Sequence, residues 1–311
     1  MGIDKIIGRM MLVPEIDESL VNRVILDTHR RGNAVILLDK PTGVTSHDIV
    51  DDVRKILRTK KVGHAGALDP FASGLLIILV GKFTKYTEAF ISLDKSYNAD
   101  IIIGVATSTQ DPEGQVLKED DISETEIEGI SKIEKLQSFA DALTPGYDQQ
   151  VPIYSSVKVE GNKLRELARS SSEINFSCEG NTVEFLLQNG VNITVEIPRK
   201  YVSLEEFRIN SYERLNSLEI DNYKLDGNYL KVNADISCSK GTYIRKVAED
   251  FASEAGLSGF LAGLVRTRVG KFQLAKATSL EMLLKQSIDL GIHNTDQELP
   301  TLRTLELDNW P

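Results

Sequence analysis

A chain of 311 residues with 41% hydrophobic and 26% charged composition can bury one large core, or a core with appendages. No apolar run approaches the roughly 20 residues that span a bilayer, and no basic-then-apolar segment opens the chain, so a cytoplasmic protein is expected. A net charge of −10 argues against a generic nucleic-acid binder, whose affinity comes largely from basic residues. Cys178 and Cys238 stand far apart without CxxC or Cys/His spacing, which points to free thiols. His29, His47, His64 and His293 form no HxH or HExxH pattern, so no metal site is expected.

In chain order, residues 1–33 hold scattered apolar residues broken by Pro14 and suggest no chemistry. Ala34 to Leu38 reads as a strand and Asp39 to Gly43 as a turn. Ser46 then reads as the cap of a helix whose apolar face is Ile49, Val50, Val53, Ile56 and Leu57. The stretch Lys61 to Lys85 sets one carboxylate, Asp69, between a glycine-rich turn and six consecutive apolar residues, Leu75 to Val80. Pro70 pushes Asp69 toward an extended conformation, and the apolar run has the composition of a strand covered on both faces. Taken alone, Asp69-Pro70 reads rather as a local Asx-turn, in which Asp69 caps nearby backbone amides.

Asn98 to Val105 alternates into a strand, with Tyr97 immediately before it. Ser123 to Leu143 places Ile127, Ile130, Ile133, Leu136 and Phe139 at helical spacing, as core residues. Residues 172–193 carry a strand-like run, Val183 to Leu187, and read as an inserted hairpin. Leu230 to Ile236 alternates again and ends in Cys238 to Arg245. Gly241-Thr242 then opens a helix with Ile244, Val247, Ala248, Phe251 and Ala255 on one face. Ser279 to Ile292 is a short amphipathic helix.

Several of these stretches resemble one family. Gly66, Leu68, Asp69, Pro70, Ala72, Gly74, Leu75 and Leu76 fill the pattern G-x-L-D-P-x-A-x-G-L-L of the pseudouridine synthases that act on the T-arm of tRNA, in the branch that also contains the dyskerin-type enzymes. The run LDKPTGVTSHDIV is similar to that family's first motif, in which the Lys-Pro pair, here Lys40-Pro41, has a mainly structural role. Pro152, Tyr154, Ser155, Lys158, Gly161, Leu164, Ala168 and Arg169 follow a further family segment, where Arg165 replaces the usual aromatic. CSKGTYIR, Cys238 to Arg245, matches the KGTYIR motif, and Leu264 to Phe272 is similar to the last motif of the catalytic domain, with Val265 in place of the commoner arginine.

The resemblance implies an α+β fold, a mixed and largely antiparallel sheet flanked by helices with the catalytic cleft across it. It implies a catalytic domain over residues 34–280, with an insertion at about 172–193, an N-terminal extension 1–33 and a short helix and tail at 281–311. The small RNA-binding β domain that many relatives carry at the C-terminus is not expected. By the same resemblance Asp69 is the catalytic residue, Tyr97 stacks on the target base, and Arg245 pairs with Asp69. Tyr243 and Leu264 line the base pocket and His64 lies against the RNA near the extruded base, with Lys85 and Lys40 counted among the substrate-facing residues. Two basic clusters flank these motifs: Arg54, Lys55, Arg58, Lys60 and Lys61, and Lys240, Arg245, Lys246, Arg266, Arg268 and Lys271. Both are expected to contact RNA.

The expected reaction breaks the bond from ribose C1′ to uracil N1, turns the base and rejoins it through C5, without metal, nucleotide or redox cofactor. A carboxylate can serve by attacking C1′ or by removing a 2′ proton, and the residues leave both routes open. The expected partner is the T stem-loop of tRNA, at position 55, with no membrane, no required protein partner and a monomeric state. The rival readings are a non-catalytic tRNA-folding protein and an unrelated hydrolase using Asp69 with His64, for which no GxSxG-type nucleophile motif speaks.

Overall fold

The computed structural model describes residues 34–176, 182–220 and 223–289. The extension 1–33, Cys178, His29 and His293 lie outside the described residues. The chain divides into two compact units, Met1–Asn98 with Gly263–Pro311, and Ala99–Ala262. Both mix helices with strands whose pairing is largely antiparallel, which is the α+β class expected from the sequence.

In the first unit the central strand is Ser73–Val80, paired antiparallel with Ala34–Lys40 on one edge. On the other edge it pairs in parallel with the C-terminal half of Gly259–Val269, through Val265 and Arg266. One face, with Ile36, Leu38, Leu76 and Ile78, packs on Ile49, Val50, Val53 and Ile56 of helix Ser46–Ile56 and on Leu280 and Leu283 of helix Leu280–Asp289. The opposite face, with Leu37, Leu75, Ile77 and Leu79, packs on Phe90, Val269 and Phe272. An apolar run without alternation is what a strand buried on both faces requires.

The helix begins one residue off the expected register. Thr45 is the cap: its hydroxyl accepts the Asp48 N–H at 3.1 Å while the Asp48 carboxylate accepts the Thr45 N–H at 2.9 Å. This reciprocal pair outcompetes Ser46 as cap because it satisfies two otherwise orphaned donors at once. Ser46 is thereby released for another task. Tyr97 lies inside its strand, Lys95–Ile103, rather than before it. The buried Lys95 ammonium donates to the carbonyls of Ile91, at 2.6 Å, and Leu93, so this polar start belongs to the strand.

In the second unit a long hairpin, Arg199–Ile220 with Tyr223–Cys238, carries Gly146–Gln150 on its edge. The stretch read as one helix is two, Glu124–Ile130 and Ile133–Leu143, broken at Ser131-Lys132. The break turns Ile133 outward, to 37% exposure, whereas Ile127, Leu136 and Phe139 are buried as expected. The segment read as an inserted hairpin forms three antiparallel strands, Ser171–Phe176, Thr182–Leu187 and Asn192–Glu196. They bury Val183, Phe185 and Val195 against Leu164, Leu167 and Ala168, so this sheet shares a core with the helix before it. Cys238 is buried and takes part in no disulfide among the described residues. Among the described residues no helix is long and apolar enough to cross a membrane.

Candidate active site

Asp69 sits on the turn that leads into the central strand of the first unit, and that turn is tied on both sides by the first motif. Before Asp69, the Ser46 hydroxyl accepts the Leu68 N–H at 2.9 Å and donates to the Leu68 carbonyl at 3.1 Å. After it, the ammonium of Lys40, with 0% exposure, donates to the carbonyls of Ala72 at 2.7 Å, Pro41 at 2.8 Å and Pro70 at 3.4 Å. Gly43 N–H also donates to the Pro70 carbonyl, at 2.8 Å. An ammonium has three donors, and these three acceptors are backbone carbonyls of the two motifs. Lys40 therefore stands buried beneath the turn. Asp69 itself is half-buried, and its carbonyl accepts the Ala72 N–H at 3.1 Å.

A second cation closes the other side. Arg266, 1% exposed, donates through Nε to the Leu75 carbonyl at 2.7 Å, and through its Nη atoms to Gly66 O at 3.0 Å and Ala67 O at 3.4 Å. It also hydrogen-bonds the hydroxyl of Tyr97, which is itself 8% exposed. Burial pulls the Arg266 guanidinium below its ordinary pKa and the Tyr97 contact opposes this; the group stays charged in any case. Among the described residues no carboxylate lies within ion-pair distance of it. The backbone of Arg266 approaches Gly74 so closely that a Cβ there would lie 2.5 Å from the Arg266 carbonyl oxygen, and Gly74 has φ +100. No other residue than glycine fits both demands.

Around this turn, His64 is half-buried with Nδ1 lacking a partner, and burial, followed by the charge of Arg266, holds its pKa below 6.5. A neutral imidazole is therefore the resting form. Leu264, 8% exposed, belongs to the strand that carries Arg266. Lys85 is exposed, in the short helical turn Gly81–Tyr86.

In the second unit Arg245 and Tyr243 lie at the start of helix Ile244–Glu254, with Tyr243 as the cap residue. Arg245, 7% exposed, donates to Thr109 O at 2.8 Å and Tyr154 O at 3.1 Å, and pairs with Asp111 at 3.3 Å. The carboxylate of Asp111 also accepts from the Thr109 hydroxyl and, at 3.1 Å, from the Glu113 N–H. Both ends of this buried pair are thus hydrogen-bonded, which offsets the cost of desolvating the two charges.

The second basic cluster does not survive as a phosphate-facing group. Arg266 and Arg245 are buried in the contacts just described. Arg268 is held by the Ser96 hydroxyl at 2.9 Å and Gly270 O at 2.8 Å, and Lys246 by Glu249 at 2.8 Å and Asp250 at 2.6 Å. Burial lowers the Lys246 pKa, but those two carboxylates outweigh it and raise the net value. Lys240 and Lys271 stay exposed. In the first cluster Arg54 pairs with Asp51 at 2.6 Å and Lys55 with Asp52 at 3.3 Å, while Arg58, Lys60 and Lys61 are exposed. Sequence reasoning missed the anchoring roles of Ser46, Arg266 and Asp111. For Arg266 a signal existed, since its motif was matched; Asp111 stands in a polar run that nothing local distinguishes.

The pattern of the TruB family pseudouridylate synthase N-terminal domain matches residues 54–189. A protein of Clostridioides difficile described as tRNA pseudouridine synthase B is 36% identical over 280 residues, 89% of this chain and 80% of that protein. One of the same description from Thermobifida fusca is 34% identical over 254 residues, 81% and 74% of the two chains. Among solved structures, a chain of a Cbf5-Nop10-Gar1 complex superposes with a TM-score of 0.52 at 22% identity, over 84% of this chain; this chain spans 56% of that one, and the likeness shows the fold. Fold and sequence together define the class of pseudouridylate synthases. Within that class, the chain belongs to the TruB family.

Proposed function

We propose that this chain converts a uridine of tRNA, at position 55 in the T-loop, to pseudouridine, with Asp69 as the catalytic residue. The observation that carries the reading is the family's full Asp motif on a turn fastened from both sides, in a chain whose relatives over most of their length are tRNA pseudouridine synthases. A turn so fastened keeps its carboxylate in one orientation, and a positioned reactive group removes entropy that a floppy one would have to lose in the transition state.

The target base leaves its stack at a cost of a few kcal/mol, and aromatic and apolar walls hold it outside the helix. Tyr97 is assigned the stacking face, worth on the order of 1–3 kcal/mol, Leu264 an apolar contact with the base, Tyr243 the part its motif gives it, and neutral His64 a place near the gap left in the RNA. Asp69 acts at the sugar, by attack on C1′ or by removal of a 2′ proton. The C1′–N1 bond breaks, the uracil turns, C5 bonds to C1′, and the C5 proton leaves while N1 gains one. To Arg245 we assign the role that the KGTYIR motif gives its arginine, that of keeping the catalytic carboxylate ionised, and Asp111 holds Arg245 at 3.3 Å. The exposed Arg58, Lys60 and Lys61, with Lys85, meet the RNA phosphates.

Release of tritium from uracil C5 in a T-arm transcript tests this reading. Isomerisation requires that release; an RNA-folding protein or a hydrolase would leave the label in place.

A further inference from the structure

The helix that carries Arg245 starts without a cap of its own. Tyr243 occupies the cap position, and a phenol cannot reach back to the first backbone N–H groups as Ser or Asp would. The side chain of Gln149, on strand Gly146–Gln150 and 2% exposed, takes over: its Oε1 accepts the Tyr243 N–H at 2.8 Å, and its Nε2 donates to the Tyr243 carbonyl at 3.2 Å. One amide thus fixes both backbone groups of the residue from which the helix winds. Arg245 is the second residue of that helix, so the direction of its side chain follows from how the helix begins.

Gln149 is itself held in a single orientation. Its Nε2 also donates to the Tyr147 hydroxyl at 2.9 Å, and that hydroxyl donates to Asp250 at 2.7 Å. Asp250 accepts from Lys246 at 2.6 Å. The amide oxygen meets a donor and the amide nitrogen two acceptors, so the amide cannot flip without stranding buried groups. Burial and the Asp250 charge push the Tyr147 phenol far above its ordinary range, so it remains a donor at every working pH.

We infer that Gln149, set by Tyr147 and Asp250, is the positioning residue that aims Arg245 for the reaction. The inference rests on the proposed role of Arg245. Nothing in the primary sequence marks Gln149, which stands beside a second glutamine, Gln150.

The test uses the full chain and a T-arm hairpin. Gln149→Met keeps the volume and removes both hydrogen-bonding groups. The single-turnover rate at saturating RNA should fall on the order of 10- to 100-fold, the loss that a misplaced catalytic group produces. RNA affinity should change little and unfolding should stay a single cooperative transition, its midpoint lowered by a few degrees as the Tyr243 backbone groups lose their partner, which separates positioning from general loss of structure. In an Arg245→Lys background the same substitution should add less than about twofold, because residues acting through one another are not additive. Should Gln149→Met fail to fold, Tyr147→Phe removes only the relay and should slow the reaction severalfold. A wild-type rate in Gln149→Met or, if that does not fold, in Tyr147→Phe, or full multiplicative loss in the Arg245→Lys background, overturns the inference. A near-normal rate in Arg245→Lys alone overturns the reading beneath it, which the Gln149 outcomes by themselves do not.

Discussion

The turn that carries Asp69 and the helix start that carries Arg245 are both held by side chains from distant parts of the sequence, yet the means are opposite. In the first unit two buried cations, Lys40 and Arg266, grip backbone carbonyls. In the second a neutral amide, Gln149, grips the Tyr243 backbone, while the cation there, Arg245, is the group being positioned. A cation on carbonyls satisfies several acceptors at once, and its removal leaves each without its donor, the buried one of each set in a dry core. An amide on one backbone pair fixes a direction, and its removal costs direction before stability. The Asp69 turn is thus made stiff by charge, and the helix start that carries Arg245 is fixed by geometry.

The comparison breaks most visibly at Arg266. Arg266→Met should destabilise the first unit by about 3 kcal/mol or more, since each stranded buried acceptor costs about 1–3 kcal/mol. Urea unfolding of the variant measures this, and a loss under about 1 kcal/mol would show that the guanidinium is not what holds the turn. Lys40→Met should cost less, about 1–3 kcal/mol, because Arg266 also loses its Tyr97 hydrogen bond, whereas each cation has only one fully buried carbonyl acceptor. Its isomerisation rate should nonetheless drop sharply, and a near-normal rate would separate the Lys40 clamp from the chemistry.

Charges that hold the fold and charges that face RNA can be told apart by salt. Lys61→Gln should weaken T-arm binding and reduce the slope of log affinity against log salt by about 1, one released phosphate contact. Lys246→Gln should leave the slope unchanged, because that ammonium is already neutralised by Glu249 and Asp250. Equal slopes for the two variants would return the second cluster to the RNA-binding surface.

The smallest effect concerns His64. Its folded pKa lies below the unfolded value, so the unfolded chain takes up more protons as pH falls through about 6.5, and stability declines on the acid side. Between pH 7 and pH 5 the wild type should lose slightly more stability than His64→Gln, read as the shift in urea midpoint. An identical loss in both would mean that His64 is not held neutral.

Much of this arrangement was legible in the residues. The unbroken apolar run Leu75 to Val80 announced a strand covered on both faces, and the glycine and proline pattern around Asp69 announced a fixed turn. What stayed hidden depended on pairings far apart in sequence. Ser46 read as the cap, but the Thr45–Asp48 pair takes that place and leaves the Ser46 hydroxyl to the Leu68 backbone, 22 residues on. Arg266 and Lys246 read as surface charge because composition carries no information on burial. Gln149 left no trace, since an amide gains its meaning only from the groups it meets. The break at Ser131-Lys132 was masked because the apolar spacing on either side continues in phase through Ile130 and Ile133.

The central claim is that one carboxylate on the braced turn performs the chemistry. Asp69→Asn keeps the shape of the side chain and removes its charge. Single-turnover assay of this variant on a T-arm hairpin should give no pseudouridine, with RNA affinity within a few-fold of wild type. Measurable turnover by the asparagine variant would contradict the account.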